Sequence, residues 1–498
     1  MKMNTQSVTG FFKNVKNIKP KYLLLIILLF ALFIRMFFFI GLGRRDDIAF
    51  IQKAYSIMKG SIPLPGSSGV DAAGTRIMVY FPIAFFFYLF GISEFTASLY
   101  FILCSLGSVT LAFLLGKYFF DERTGLVAAL LLSFFPHEVI YSTQIIPDIP
   151  IAFYLGLTAL LFILGEKNNS KKFFLLSGLI YGIAYTTKES YITFGFFLAT
   201  YFTLNLIIKV LSRKKIQNLK YYLLFIVGFL IIFSVENVFY LSQGKDLFTN
   251  IIVNKNNIML EKNGNPNLNH YYYMMFNLYP DEFEHRIFGH FYFAIFFSLI
   301  CLLIKDFKKS FFIIVWFLVV FFTYQYISTI IAGRTYIERE DKYLTVLTLP
   351  AILLIARLFT IDKKISPIFG IIFLFITSIP ALTISYEYSR TIIDDIRDPY
   401  LFLKDLPEKE IFIPEGVHPQ MEFFFGYKKS NFLKVYHENV EWGKITDAYV
   451  VINVTPTDTY NWKKSDDIPQ NWQLLKTIYN TNESFYKYYN PQIYYAPL

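Results

Sequence analysis

The sequence is poor in the residues that build most metal and redox centres, with two cysteines and six histidines in 498 residues. Cys104 and Cys301 lie far apart inside apolar stretches, so they read as packed thiols, not as a disulfide. His270 and His285 match no ligand spacing and no HExxH occurs, which argues against a structural metal; no cofactor is implied. Charged residues are scarce, at 17%. No Walker or GxGxxG pattern is found, and the short loops between apolar runs leave no room for a nucleotide-binding domain. A cleavage site is also missing after the first apolar run, which reads as a retained span.

What the chain does have is apolar length. Hydrophobic residues make up 55% and aromatics 20%, and the mean hydropathy is +0.43. This composition belongs to a polytopic membrane protein. The apolar runs predict eleven spans, at 22–43, 94–116, 124–142, 147–165, 173–187, 190–211, 221–240, 288–304, 310–331, 343–360 and 365–384. Residues 77–92 are short and carry Pro82, so they read as a juxtamembrane helix in the first outer loop. With a cytoplasmic N-terminus, the inner segments hold 20 Lys/Arg against five Asp/Glu, whereas the long opposite segments 44–76 and 241–287 are near neutral. That is a positive-inside pattern. The net charge of +10 is thus a matter of topology, and no nucleic-acid partner is expected. The expected protein is multi-pass in the cell membrane, with its chemistry and its C-terminal region on the extracytoplasmic face.

Residues 1–384 form the expected membrane domain. Residues 385–498 are less apolar and contain short β-prone runs (EIFIP, NFLKVY, DAYVVINV, WQLLKTIY, SFYKYYN) that suggest a small α/β domain.

Ionisable residues at the expected outer helix ends are the candidate site, and each has a plainer reading. In RRDDIAFIQKAYSIMKG, residues 44–60, Asp47, Phe50, Ile51, Ala54, Ile57 and Met58 recur at helical spacing, and Gly60 supplies a stop. Asp46 and Asp47 either cap this amphipathic helix or take a proton from an alcohol. Asp148, in STQIIPDIP, either starts a helix beside Pro150 or joins them on the same face. Lys188 either snorkels, paired with its neighbour Glu189, or faces an anion. Arg334, Arg339 and Lys342 offer the same choice, with Glu338, Glu340 and Asp341 interspersed. Arg35 lies within the first span, where a charge is costly and marks a contact whose partner the sequence does not name.

The order of these features resembles the GT-C class of polyprenyl-phosphate-sugar-dependent glycosyltransferases, in the branch of protein O-mannosyltransferases and lipid A aminoarabinose transferases. RRDDIAFIQKAYSIMKG resembles that family's first-loop acidic motif. VYFPIAFFFYLFGISEFTASLY, FDERTGLVAALLLSFFPHEVIYSTQIIPDIPIAFYLGL and GLIYGIAYTTKESYI resemble its next segments, with Asp and Lys at the matching turns. DKYLTVLTLPAILL resembles the segment ahead of a late span. Phe50 stands where the family commonly has Tyr, and Lys342 where it has Arg, which alone forks two parallel hydrogen bonds. No WWD-type motif is present.

The resemblance implies inverting transfer of a sugar from a polyprenyl- or dolichyl-phosphate donor to a hydroxyl of a protein, glycan or lipid acceptor. Asp46 would be the base, with Asp47 and Asp148 positioning. The leaving phosphate would be met by Lys188, Arg76, Lys342 or Arg334. The rival from another class is a transporter or flippase of lipid-linked substrates, whose internal repeats and midplane charges are not visible in this sequence.

Overall fold

In the computed structural model, the described residues are 19–497 except 44, 64, 66–70, 190, 192–193, 214–218, 261–290, 328–340, 363–366, 429–430, 437–439, 455–467 and 479–489. His270, His285 and Arg334 fall outside them, as does the SFYKYYN run up to Tyr489. The chain separates into two compact units. The first comprises residues up to Phe39, Leu64–Val79 and Tyr100–Ser385; the second comprises Ile40–Pro63, Tyr80–Leu99 and Tyr386–Leu498.

The first unit is helical. Its order begins with α1 (Pro20–Phe37). The next two helices, α2 (Arg45–Met58) and α4 (Ile77–Phe90), lie wholly or largely in the second unit, with short α3 (Ala72–Thr75) between them. There follow α5 (Glu94–Phe119), α6 (Glu122–Phe134), α7 (Pro136–Tyr141), α8 (Asp148–Asn168), α9 (Lys171–Thr187), α10 (Phe194–Leu211), α11 (Lys220–Ser242) and α12 (Thr249–Leu260). Helices α13 (Phe291–Lys305), α14 (Phe307–Phe322), α15 (Thr348–Thr360) and α16 (Ile368–Leu403) complete the series. A 3-10 segment, Asp341–Leu347, leads into α15.

Among the described residues, seven helices are long and apolar enough to cross a membrane: Pro20–Phe37, Glu94–Phe119, Asp148–Asn168, Phe194–Leu211, Lys220–Ser242, Lys342–Thr360 and Ile368–Glu387. Four of the eleven expected spans are shorter helices. Ile77–Phe90 is a short apolar helix, as its length and Pro82 suggest. The expected span 124–142 is broken: α6 ends at Phe134, Phe135 is extended (φ −63°, ψ 118°), and Pro136 starts α7. Proline pushes the residue before it out of the helical region and has no N–H to continue the ladder. The break costs no exposed backbone, because residues 131–150 are buried throughout.

Small residues set the closest helix contacts. A Cβ on Gly178 of α9 would lie 2.0 Å from the Phe225 carbonyl oxygen of α11, and one on Gly228 would lie 2.4 Å from the Leu175 oxygen. These glycines let the two backbones touch. The far side of α11 presents Leu223, Ile226, Leu230, Val235 and Val238 outward, as a lipid-facing stripe does.

Arg35 finds its partners within this unit. Its guanidinium is fully buried and donates to Ser105 Oγ (2.8 and 3.0 Å) and to the carbonyls of Ala31 and Ser133. Ser105 in turn donates to Glu138 Oε1 at 2.6 Å, and Thr348 reaches Glu138 Oε2 at 3.4 Å. The charge thus ties α1, α5, α6, α7 and the start of α15 together.

The second unit ends in a five-stranded mixed sheet, order β2-β1-β3-β5-β4. Its strands are β1 (Glu410–Pro414), β2 (Leu433–Tyr436), β3 (Ala448–Val454), β4 (Gln473–Thr477) and β5 (Asn490–Ala496), with helix α17 (His418–Phe424) between β1 and β2. The first three strands pair in parallel; β3–β5 and β5–β4 are antiparallel. Alternation along β3 divides two cores: Tyr449 and Val451 face Leu403 and Met421, while Ala448, Val450 and Ile452 face Trp442 and Trp472.

Candidate active site

Four of the residues singled out in the sequence meet in the first unit. Asp148 is the first residue of α8 and fully buried. Its Oδ1 accepts from Lys188 Nζ at 3.0 Å and from the Tyr191 hydroxyl at 2.7 Å. Its Oδ2 is buried with no hydrogen-bond partner among the described residues. Pro147 ahead of it and Pro150 in the first turn fix this helix start, so the carboxylate is presented by backbone that cannot easily unwind.

Lys188 follows the last turn of α9 in an extended conformation, and only 6% of it is exposed. Its ammonium lies 4.0 Å from the centroid of the Tyr343 ring and 5.5 Å from that of Tyr191. Arg76 and Lys342 are in electrostatic range of it. Burial is the main force lowering the Lys188 ammonium to about 8; Asp148 opposes the shift, and Arg76 and Lys342 add to it. The buried Lys188–Asp148 pair thus has two further, half-buried cations in electrostatic range of its ammonium. Such a place favours an anion with more than one oxygen to offer.

Tyr191 and Tyr343 were not singled out in the sequence. Their only signal is position: Tyr191 stands three residues after Lys188, and Tyr343 directly follows Lys342.

The acidic pair lies in the second unit. Helix α2 buries Asp47, Phe50, Ile51 and Ala54, as the spacing predicts, and Gly60 takes φ +78° just past its end. Met58, expected on the same face, is 38% exposed. Asp47 Oδ2 accepts from the Gly43 N–H at 2.8 Å, reaching back like the acidic member of a capping box. The backbone of Asp46 is helical, but its side chain lies outside the described residues.

The turn ahead of this helix is held by groups the sequence did not mark. Glu94 Oε1 accepts from the Leu42 N–H at 3.0 Å and from Arg397 Nη2 at 2.6 Å. The same Arg397 nitrogen donates to the Ile40 carbonyl at 2.9 Å. At the other end of α2, Tyr55 stacks on Tyr427 with centroids 3.8 Å apart and planes 8° from parallel. Arg397, in the last turns of α16, and Tyr427, after α17, thus grip both ends of the acidic helix.

The fold has solved counterparts. ArnT from Cupriavidus metallidurans bound to undecaprenyl phosphate is similar with a TM-score of 0.59 at 11% identity, covering 94% of this chain and 97% of that one. The oligosaccharyltransferase of Archaeoglobus fulgidus in its apo form is similar with a TM-score of 0.50 at 11% identity, covering 83% of this chain and 64% of that one. The chain shares its fold with these two structures. Residues 74–239 match the family described as dolichyl-phosphate-mannose-protein mannosyltransferase. No curated protein matches the sequence.

Proposed function

We propose that the protein transfers a sugar from a polyprenyl- or dolichyl-phosphate donor to an acceptor hydroxyl, with inversion, and that Lys188, Arg76 and Lys342 receive the donor phosphate. The observation that carries this reading is the gathering of Arg76 and Lys342, both half-buried, about the buried Lys188–Asp148 pair. It lies in a fold whose ArnT counterpart is described as bound to undecaprenyl phosphate.

In this reading the acceptor oxygen bonds to the anomeric carbon as the bond from that carbon to the phosphate oxygen breaks. The electron pair leaves on the phosphate, whose growing charge the three cations stabilise. Asp148 holds the Lys188 ammonium in place and, with Tyr191, fixes its direction. The acceptor proton goes to Asp46, the role its place in the first-loop motif implies. Asp47 supports the helix through Gly43. Arg334 remains a further candidate on sequence order. The positive-inside pattern supports an extracytoplasmic site, where a lipid-borne donor supplies what a nucleotide sugar cannot.

Transport of lipid-linked substrates is not favoured, because Asp148 and the cations assigned to the donor gather at helix ends instead of along a path. The test is transfer from a panel of polyprenyl-phosphate sugars to glycan, lipid and protein acceptors, using purified full-length protein. Asp46→Asn is expected to abolish transfer at unchanged expression and thermal stability; an active, well-folded Asp46→Asn protein would remove the assigned base.

A further inference from the structure

A second buried polar group includes the residue next to Lys188 in the chain, in the same unit, and the chemistry above does not use it. Glu236 lies on α11 two turns before its end and is 4% exposed; Tyr185 lies in the last turn of α9 and is 3% exposed. The Tyr185 hydroxyl is in electrostatic range of both Glu236 and Glu189. Its ring packs on Phe229 and Phe233 of α11, which fixes where the hydroxyl sits. Asn250 donates to Glu236 Oε1 at 2.9 Å, and Asn254 holds Asn250 by donating to its side-chain oxygen at 2.7 Å.

Three atoms in this group are buried with no hydrogen-bond partner among the described residues: Glu236 Oε2, Glu189 Oε2 and the Tyr185 hydroxyl. A carboxylate set into an apolar helix is costly, and leaving one oxygen unmatched adds to the cost. Among the described residues, no donor reaches these three atoms. Lys188 donates to Asp148 instead.

We propose that Glu236, Glu189 and Tyr185 form the subsite for the hydroxyl or amino groups of the donor's sugar. A sugar ring brings adjacent hydrogen-bond donors, which is what two carboxylate oxygens and a phenol beside them can accept. The location fits: Glu189 adjoins Lys188 in the chain, with Cα atoms about 3.8 Å apart. A sugar is likewise one bond removed from the phosphate that Lys188 is assigned to meet. This inference rests on the glycosyltransferase reading and names the group that selects the sugar.

The experiment compares the affinities of the purified full-length protein for undecaprenyl phosphate and for a panel of undecaprenyl-phosphate sugars. The panel is read on wild type, Glu236→Gln and Tyr185→Phe, each first shown to melt normally. In the wild type at least one sugar lipid binds about tenfold more tightly than the bare lipid, the worth of one or two hydrogen bonds. Both variants shrink that advantage to about twofold and leave bare-lipid affinity unchanged. An undiminished sugar advantage in both variants overturns the proposal. So does a loss that falls equally on the bare lipid, no sugar advantage in the wild type, or an effect confined to the acceptor's KM. A wild type that binds neither lipid instead defeats the glycosyltransferase reading itself, so the two failures are distinguishable.

Discussion

The pH dependence of donor use tests the cation cluster directly. Lys188 is lowered to about 8, chiefly because burial disfavours its charge. If the charged ammonium receives the donor phosphate, kcat/KM for donor follows the protonated fraction, which falls from about 90% at pH 7 to about 10% at pH 9. Donor kcat/KM should therefore drop about tenfold over that interval. A bound phosphate favours the charged form, so the inflection in kcat lies at higher pH than that in kcat/KM.

The loss cannot be blamed on unfolding by the same group. The folded Lys188 gives up its proton before the unfolded one, which titrates near the ordinary 10.5. Between about pH 8 and 10.5 the unfolded chain thus holds more protons, and this group makes folding more favourable as pH rises. The control is Lys188→Arg, whose charge persists across the range. It should retain part of the activity and lose the inflection. A donor kcat/KM that is flat from pH 6.5 to 9.5 in the wild type, or an inflection that survives in Lys188→Arg, would refute the reasoning.

Other substitutions probe other parts. Asp148→Asn takes the counter-charge from the buried Lys188; broken buried pairs cost about 3–5 kcal/mol, so melting in detergent should fall, and undecaprenyl phosphate should restore part of it. Arg397→Lys keeps the charge but loses the planar guanidinium that spans Glu94 and the Ile40 carbonyl; slackening ahead of α2 should lower kcat by up to about 100-fold with donor affinity unchanged. Gly178→Val drives a side chain into the Phe225 carbonyl, and overpacking of this kind costs about 1–3 kcal/mol, visible as a lower melting temperature.

Much of this architecture is legible in the sequence because the bilayer demands long apolar runs and because charge placement is systematic. Helix α2 is readable from spacing alone, and the tail's strands from their β-branched and aromatic runs. What the sequence hides is long-range pairing. Nothing in the sequence around Arg35 points to Ser105 or Glu138, and nothing around Glu94 points to Arg397, 303 residues away. The Pro136 break was also missed, since hydropathy does not register a missing N–H. In the site, Asp148 and Lys188 were found as charges at helix ends. Tyr191 and Tyr343 were not, because a tyrosine in a chain holding 37 of them carries no signal until its neighbours are known.

The break after Phe134 bears on how the protein is made. Helix α6 has 13 residues, so it rises only about 20 Å, well short of the roughly 30 Å of a bilayer's hydrocarbon. The insertion machinery cannot release such a piece into lipid as a finished span, because the turn at Phe135 would leave bare peptide groups in oil. It has to enter already paired. Helix α5 is the ready companion: a Cβ on Gly116 would lie 2.8 Å from the Gly125 Cα, so the two backbones meet without side chains between them. The hairpin, and not the single helix, is then the unit of biogenesis in this part of the chain. Widening Gly125 would be felt first as failed insertion and degradation during synthesis, before any enzyme exists to assay.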